Sequence, residues 1–158
     1  METNVRIANE SDIEKLIMAR FDYFNAENWE VPIDKRTMIE RNLKQYFTKH
    51  LNVDFFAAIV EVNDKIASIA FFAISEKPAN LSFPTGKVGT VYNVLTYPEH
   101  RKKGYATHTM KALIEEAKRH DLSYIELSAS EAGKPVYEKL GFQETGASHF
   151  TEMKLNLL

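Results

Sequence analysis

The chain has 158 residues, 44% of them hydrophobic, enough to bury a real core in one domain spanning 1–158. Its formal net charge of −2 gives no global drive toward nucleic acid or a membrane surface, so any anion site has to be local. The absence of cysteine removes disulfides, thiolate metal sites and a cysteine nucleophile together.

The start, Met1-Glu2-Thr3-Asn4, is polar and lacks a signal-peptide core, and no apolar run nears the ~18 residues of a membrane-spanning helix. A soluble cytoplasmic protein is expected. Val5-Arg6-Ile7-Ala8 alternates as a short first strand. Ser11-Asp12-Ile13-Glu14 has the S-x-x-E pattern of a capping box. It opens a helix whose Ile13, Leu16, Ile17, Phe21 and Phe24 recur at inward-facing spacing. Asn25 to Asp34, with Trp29 and Pro32, reads as a loop. A second helix starts at Asp34 or Thr37, with Met38, Leu43, Tyr46, Phe47 and Leu51 as its inner stripe.

Phe55 to Val62, a tight turn at Asn63-Asp64, and Lys65 to Ile74 form a β-hairpin, apolar on both faces as a central position in a covered sheet requires. Ser75 to Gly86, with Pro78 and Pro84, is a long loop of the kind that tends to carry function. Lys87 to Thr96 is the next strand. It runs through a turn carrying Arg101, Lys102, Lys103 and Gly104 straight into a helix from Tyr105 to His120. A helix start has unpaired N–H groups and roughly +0.5 elementary charge, so this turn is built to receive a phosphate. Ala106, Met110, Leu113, Ile114 and Ala117 mark the inner face of that helix. Tyr124 to Ser128 is a strand, and the strand–helix–strand crossover makes it parallel to Lys87–Thr96. Pro135 suits the first turn of a short helix and Gly141 its C-terminal cap. Phe150 to Leu157 alternates and is expected to close the sheet.

With that element order, Arg101-Lys102-Lys103-Gly104-Tyr105-Ala106 resembles the R/Q-x-x-G-x-G/A signature of the GNAT superfamily of N-acetyltransferases. Val136-Tyr137-Glu138-Lys139-Leu140-Gly141-Phe142 is similar to the L-Y-E-K-x-G-F segment that follows the family's fifth strand. The resemblance covers essentially the whole chain and is weakest before Asp54. It implies a layered α/β fold: a mixed, mostly antiparallel sheet of six or seven strands, a parallel, splayed fourth and fifth pair, and helices on both faces. It further implies acetyl-CoA as co-substrate without a metal, and transfer of the acetyl group to a primary amine of a small molecule, peptide or protein. Family members are often homodimers.

Carried over residue by residue, the resemblance gives the pantetheine arm the strand backbone of Val94, Leu95 and Thr96, as a pseudo-strand beside a bulge. The pyrophosphate falls to Arg101, Lys102, Lys103, Gly104, Tyr105, Ala106 and Thr107, chiefly through backbone amides. A β-carbon at Gly104 is expected to crowd it. Backbone N–H near Leu95 or Thr96 would polarise the thioester carbonyl. Tyr137 matches the family's general acid for the departing thiolate. Ser130 stands where relatives commonly have asparagine, and can cap the following helix or bond the pantetheine.

The base is left open. Many relatives carry a carboxylate on the fourth strand, whereas Thr90, Tyr92 and Asn93 occupy that region here. The alternatives are a water chain ending at backbone or Asn93, or a carboxylate from the N-terminal segment: Glu27, Glu30 or Asp34. His50, His100, His108, His120 and His149 lack metal-ligand spacing. Trp29, Phe21 and Phe24 are expected to build core and the acceptor-side wall. A non-catalytic acyl-CoA-binding module on the same fold is the second reading. A dinucleotide enzyme is not supported, because no G-x-G-x-x-G follows the first strand.

Overall fold

Among the described residues, five stretches satisfy their backbone groups by pairing side by side as strands, and four by coiling into α-helices. The computed structural model describes residues 2–146 and 148–158. The strands are β1 (Thr3–Ile7), β2 (Phe55–Val62), β3 (Lys65–Glu76), β4 (Lys87–Thr96) and β5 (Tyr124–Glu126). The helices are α1 (Ile13–Ala26), α2 (Ile33–His50), α3 (Tyr105–Ala117) and α4 (Lys134–Lys139). The chain divides into two units, Met1–Ser128, which holds the whole sheet, and Ala129–Leu158.

The sheet order is β1-β2-β3-β4-β5, antiparallel except for β4 and β5, which are parallel as the crossover requires. The hairpin turn has Asn63 at φ +50° and Asp64 at φ +62°, the left-handed pair that matches the twist of two strands joined by a two-residue loop. One face of the sheet presents Phe55, Ala57, Ile59, Ile69, Phe71 and Leu95 to α1 and α2. There Phe47 of α2 meets the rings of Phe55 and Phe71 at 5.2 and 5.7 Å between centroids. The other face presents Val60, Val62 and Ala67 to Tyr105 of α3. Helices therefore cover both faces, and β2 and β3 are buried on both, as their unbroken apolar runs require.

Three local readings are corrected. The first helical turn is capped by Asn9, not Ser11: the Asn9 side chain accepts from the Ser11 N–H at 2.9 Å, and the Asp12 carboxylate accepts from the Asn9 N–H at 2.9 Å. An Asn two residues upstream offered the same chemistry as the serine, and Arg6 selects it by fixing Asp12. The inner stripe of α2 runs through Ile39, Leu43 and Phe47 at four-residue spacing, while Met38, about 100° round the helix from Ile39, stays exposed. The sheet has five strands, not six or seven. Phe150 to Leu157 forms no strand, and Met153, Leu155 and Leu157 are exposed. Alternation supplies only side-chain phase. A strand also needs a partner edge for its N–H and C=O groups.

Arg6 ties β1 to the entry of α1. Its guanidinium donates to both Asp12 oxygens at 2.7 and 2.9 Å, and to Glu61 of β2 at 2.7 Å. Hydrogen bonding from Arg6 holds the Asp12 carboxyl below its usual range, against the opposing effect of burial. A carboxyl whose folded pKa lies below its unfolded value of about 4 stabilises above that pH and loses its contribution as pH falls through the folded value. Urea midpoints are therefore expected to fall between about pH 5 and pH 3, with Asp12→Asn showing a shallower acid limb and a loss of about 1–3 kcal/mol at neutral pH. An unchanged acid limb in Asp12→Asn would remove this network from the account.

Candidate active site

The irregular point of the sheet lies in β4. Tyr92 pairs with Phe71 and Leu95 with Ile69, so Asn93 and Val94 together oppose Ala70 alone. Asn93 takes φ +57°, a left-handed conformation that asparagine tolerates better than most residues. The result is a β-bulge with one extra residue, which bends the strand. On its other side β4 pairs with β5 only at Val88, Gly89 and Thr90. Beyond Thr90 the β5-facing backbone of β4, through Val94, Leu95 and Thr96, has no neighbouring strand among the described residues.

Beyond Thr96 the chain turns and starts α3. Arg101 Nε donates to the Thr96 carbonyl at 3.1 Å, and Lys103 Nζ to the Glu99 carbonyl at 3.1 Å. These two side chains brace their own loop while leaving its charge positive. Lys102 and Gly104 have φ of +60° and +80°. The first bond of α3 runs from the His108 N–H to the Gly104 carbonyl at 3.2 Å. The amides of Tyr105, Ala106 and Thr107 precede it, no side chain caps this end, and the first turn holds no acid. A β-carbon on Gly104 would meet nothing within 4 Å, so the space before these amides is open. The helix start is pinned from behind by Tyr105, buried against Val60, Val62 and Ala67. An open, uncapped helix start behind a left-handed glycine fits a phosphate group.

In the Ala129–Leu158 unit, Ser130 opens the turn that leads into α4. Its Oγ accepts from the Gly133 N–H at 3.1 Å and its carbonyl from the Lys134 N–H at 3.0 Å. Helix α4 ends in a Schellman motif. The Gly141 N–H donates to the Glu138 carbonyl and the Phe142 N–H to the Tyr137 carbonyl, each at 3.0 Å, with Gly141 at φ +98°. The Tyr137 and Phe142 rings meet edge to face at 6.1 Å. The Tyr137 ring also lies across Gly133, where a β-carbon would sit 3.0 Å from Cε2 and 3.3 Å from the hydroxyl oxygen. Backbone at both ends of this short helix thus fixes Tyr137.

Over the bulge lies α1. Asn93 Nδ2 donates to the Ala19 carbonyl at 3.4 Å, and its Oδ1 accepts from Arg20 Nη1 at 3.3 Å. The Arg20 guanidinium lies on the Phe24 ring, 4.7 Å from its centroid. Burial pushes its pKa down. One turn on, Asp22 accepts from the Tyr97 hydroxyl at 2.6 Å, and burial followed by this bond pushes the phenol well up. Trp29 is half exposed, against Tyr23 and Phe24. Among the described residues, no group of three or more His, Asp or Glu is arranged to hold a metal ion, and no helix is long and apolar enough to cross a membrane.

The sequence profile of the Acetyltransferase (GNAT) family matches residues 16–142. The chain belongs to the GNAT family. A predicted acetyltransferase from Clostridium acetobutylicum, solved with acetyl-CoA, is 33% identical, with 97% of this chain and 96% of that one covered and a TM-score of 0.83. A GCN5-related N-acetyltransferase from Ralstonia eutropha JMP134 superposes with TM-score 0.79 at 20% identity, covering 99% of each chain. An aminoglycoside N-acetyltransferase in complex with CoA superposes with TM-score 0.71 at 15% identity, covering 98% and 96%. No curated protein sequence matches the chain.

The residues singled out from the GNAT signature, Val94 to Thr96 and Arg101 to Thr107, lie on one continuous strand, turn and helix start. Ser130 and Tyr137 share the second unit. Glu27, Glu30 and Asp34 are all exposed on or after the end of α1. Two features escaped the sequence. Glu126 of β5 pairs in register with Thr90 and its carboxylate accepts from the Thr90 hydroxyl at 3.4 Å, so an acid reaches the fourth strand from its neighbour. Arg20 was the other. It falls between Ile17 and Phe24 on the inward stripe of α1, and a lone cation in an apolar stripe was the available signal.

Proposed function

We propose that residues 1–158 act as a single acetyl-CoA-dependent N-acetyltransferase domain, moving an acetyl group to a primary amine by direct attack in a ternary complex. The observation that carries this reading is the uncapped start of α3 behind Gly104, immediately downstream of the bulged, one-sided stretch of β4. The acetyl-CoA in the Clostridium acetobutylicum relative supports it.

In this reading the free edge of Val94, Leu95 and Thr96 bonds the pantetheine arm as an added strand. The amides from Lys102 through Thr107 receive the pyrophosphate, and the bulge leaves an N–H near Leu95 or Thr96 to stabilise charge on the thioester oxygen. The neutral amine nitrogen bonds to the carbonyl carbon, the carbon–sulfur bond breaks, and the Tyr137 hydroxyl gives its proton to the departing thiolate. The amine's surplus proton leaves on the β4 side, where Asn93, Thr90 and Glu126 are its first acceptors or relays. Ser130 holds the start of the Tyr137 helix.

Acetyl-CoA is expected to raise the melting temperature while NAD and ATP do not, and release of free thiol over a panel of amines tests transfer itself. Equal shifts with all three ligands would refute the cofactor assignment. A clear acetyl-CoA shift without thiol release on any amine would favour the acyl-CoA-binding reading.

A further inference from the structure

Among the described residues, Arg36, Arg41 and Arg101 are exposed with no carboxylate within 4.0 Å, and the two arginines with such partners are Arg6 and Arg119. Arg6 holds two carboxylates, Asp12 and Glu61, and Arg119 pairs with Glu116 at 3.1 Å. Arg20 is different. It is half-buried, projects from the inner stripe of α1, and no carboxylate lies within 4.0 Å of it among the described residues. Its surroundings are the Phe24 face, the amide oxygen of Asn93, and the phenols of Tyr23 and Tyr92, the titratable groups that act on it most. With one neutral acceptor at 3.3 Å, this half-buried guanidinium keeps most of its five donors turned to solvent, where a ligand can take them.

The position gives that outside partner a role. Asn93 is the first residue of the β4 bulge and precedes Val94, the start of the edge assigned above to the pantetheine arm. Arg36 adds a second cation beside the same aromatic pair: it lies 4.3 Å from the Phe21 centroid, and Phe21 and Phe24 meet edge to face at 5.8 Å. Arg36 is exposed and reaches water, so it contributes field rather than a directed contact.

We infer that Arg20 is the anchor for a carboxylate carried by the acceptor amine, so that the substrate is an amino acid or another amine bearing an acid group on the same molecule. The inference rests on the transferase reading. A single planar fork flanked by aromatic faces suits a carboxylate, two oxygens with one charge, whereas a phosphate dianion calls for more than one directed cation. Tyr92, half exposed on β4, and Trp29, half exposed after α1, would line the path between the anchor and the bulge.

The test uses matched pairs of amines, each as free carboxylate and as carboxamide, together with one phosphate-bearing amine, assayed by thiol release with acetyl-CoA. The carboxylate member is expected to exceed its carboxamide partner about 10- to 100-fold in kcat/KM, with most of the difference in KM. In Arg20→Gln that ratio should collapse toward one, and in Arg20→Lys it should fall part of the way. Circular dichroism and melting temperature establish that both variants fold. Equal rates for the pairs, preference for the phosphate-bearing amine, or a ratio unchanged in Arg20→Gln would overturn the anchor. A loss of coenzyme A affinity in Arg20→Gln would instead place Arg20 on the cofactor and also overturn it. Should no amine be acetylated, the transferase reading falls, and the anchor is judged by melting shifts of the coenzyme A-saturated protein with the same pairs. Shifts from carboxylates only, lost in Arg20→Gln, would uphold it; shifts equal within each pair, or none, would end it.

Discussion

Gly104→Val is expected to weaken coenzyme A binding by about 100-fold or more, a loss of about 2.7 kcal/mol, while leaving a folded protein. A β-carbon at this position meets nothing within 4 Å beyond its chain neighbours, so in the proposed reading what it crowds is the coenzyme A phosphate. The φ of +80° adds a penalty of about 1–2 kcal/mol for a branched residue, which lowers the melting temperature without touching the core. Gly104→Asn separates the two effects, because asparagine tolerates the left-handed conformation but still carries a β-carbon. Both variants should lose coenzyme A affinity, with Asn keeping the higher melting temperature. Titration calorimetry with coenzyme A reads the affinity directly. Unaltered binding in either folded variant would move the phosphate away from this turn.

Tyr137→Phe is expected to lower kcat by about 10²- to 10³-fold with little change in coenzyme A affinity. Phenylalanine keeps the ring against Phe142 and across Gly133, so the Schellman end of α4 is undisturbed and the loss isolates the hydroxyl. Gly133→Ala is a useful companion. Its added carbon would lie 3.0 Å from the Tyr137 ring, which must shift by tenths of an ångström. A rate loss there with the hydroxyl present would mark its position, and not only its presence, as what matters. Full turnover in Tyr137→Phe on an accepted substrate would remove Tyr137 as the acid.

Much of the scaffold was legible because its signals are local and redundant. The bounds of β4 follow from an apolar, β-prone run that ends at a turn. The hairpin follows from two buried strands around Asn63-Asp64, and the parallel pairing of β5 from the intervening helix. The turn proposed to receive the phosphate was legible as a turn and helix start for the same reason, since glycine, cations and a helix start adjoin in sequence. What failed depends on partners distant in sequence. Asn9 displaced Ser11 as the cap because Arg6 and Glu61 fix Asp12. Met38 gave way to Ile39 because the stripe that turns inward is chosen by packing against Phe55 and Phe71 of the distant hairpin. Phe150 to Leu157 has the phase of a strand and no partner. Arg20 and Asn93 meet across 73 positions, and no window along the chain spans that distance.

The bulge in β4 has a consequence for how this strand can change. It divides the strand into two reading frames of inside and outside, offset by one residue. The frame before it is held by Val88 and Val91, both buried, and the frame after it by Leu95 in the core and by Thr96, 2.9 Å from the Ser68 hydroxyl. Tyr92 and Leu95 oppose Phe71 and Ile69 on one face, so deleting one residue between them would restore a regular ladder with both frames keeping their faces. The irregularity is therefore not enforced by the packing on either side of it. What the extra residue supplies is the bend and the Asn93 contacts with α1.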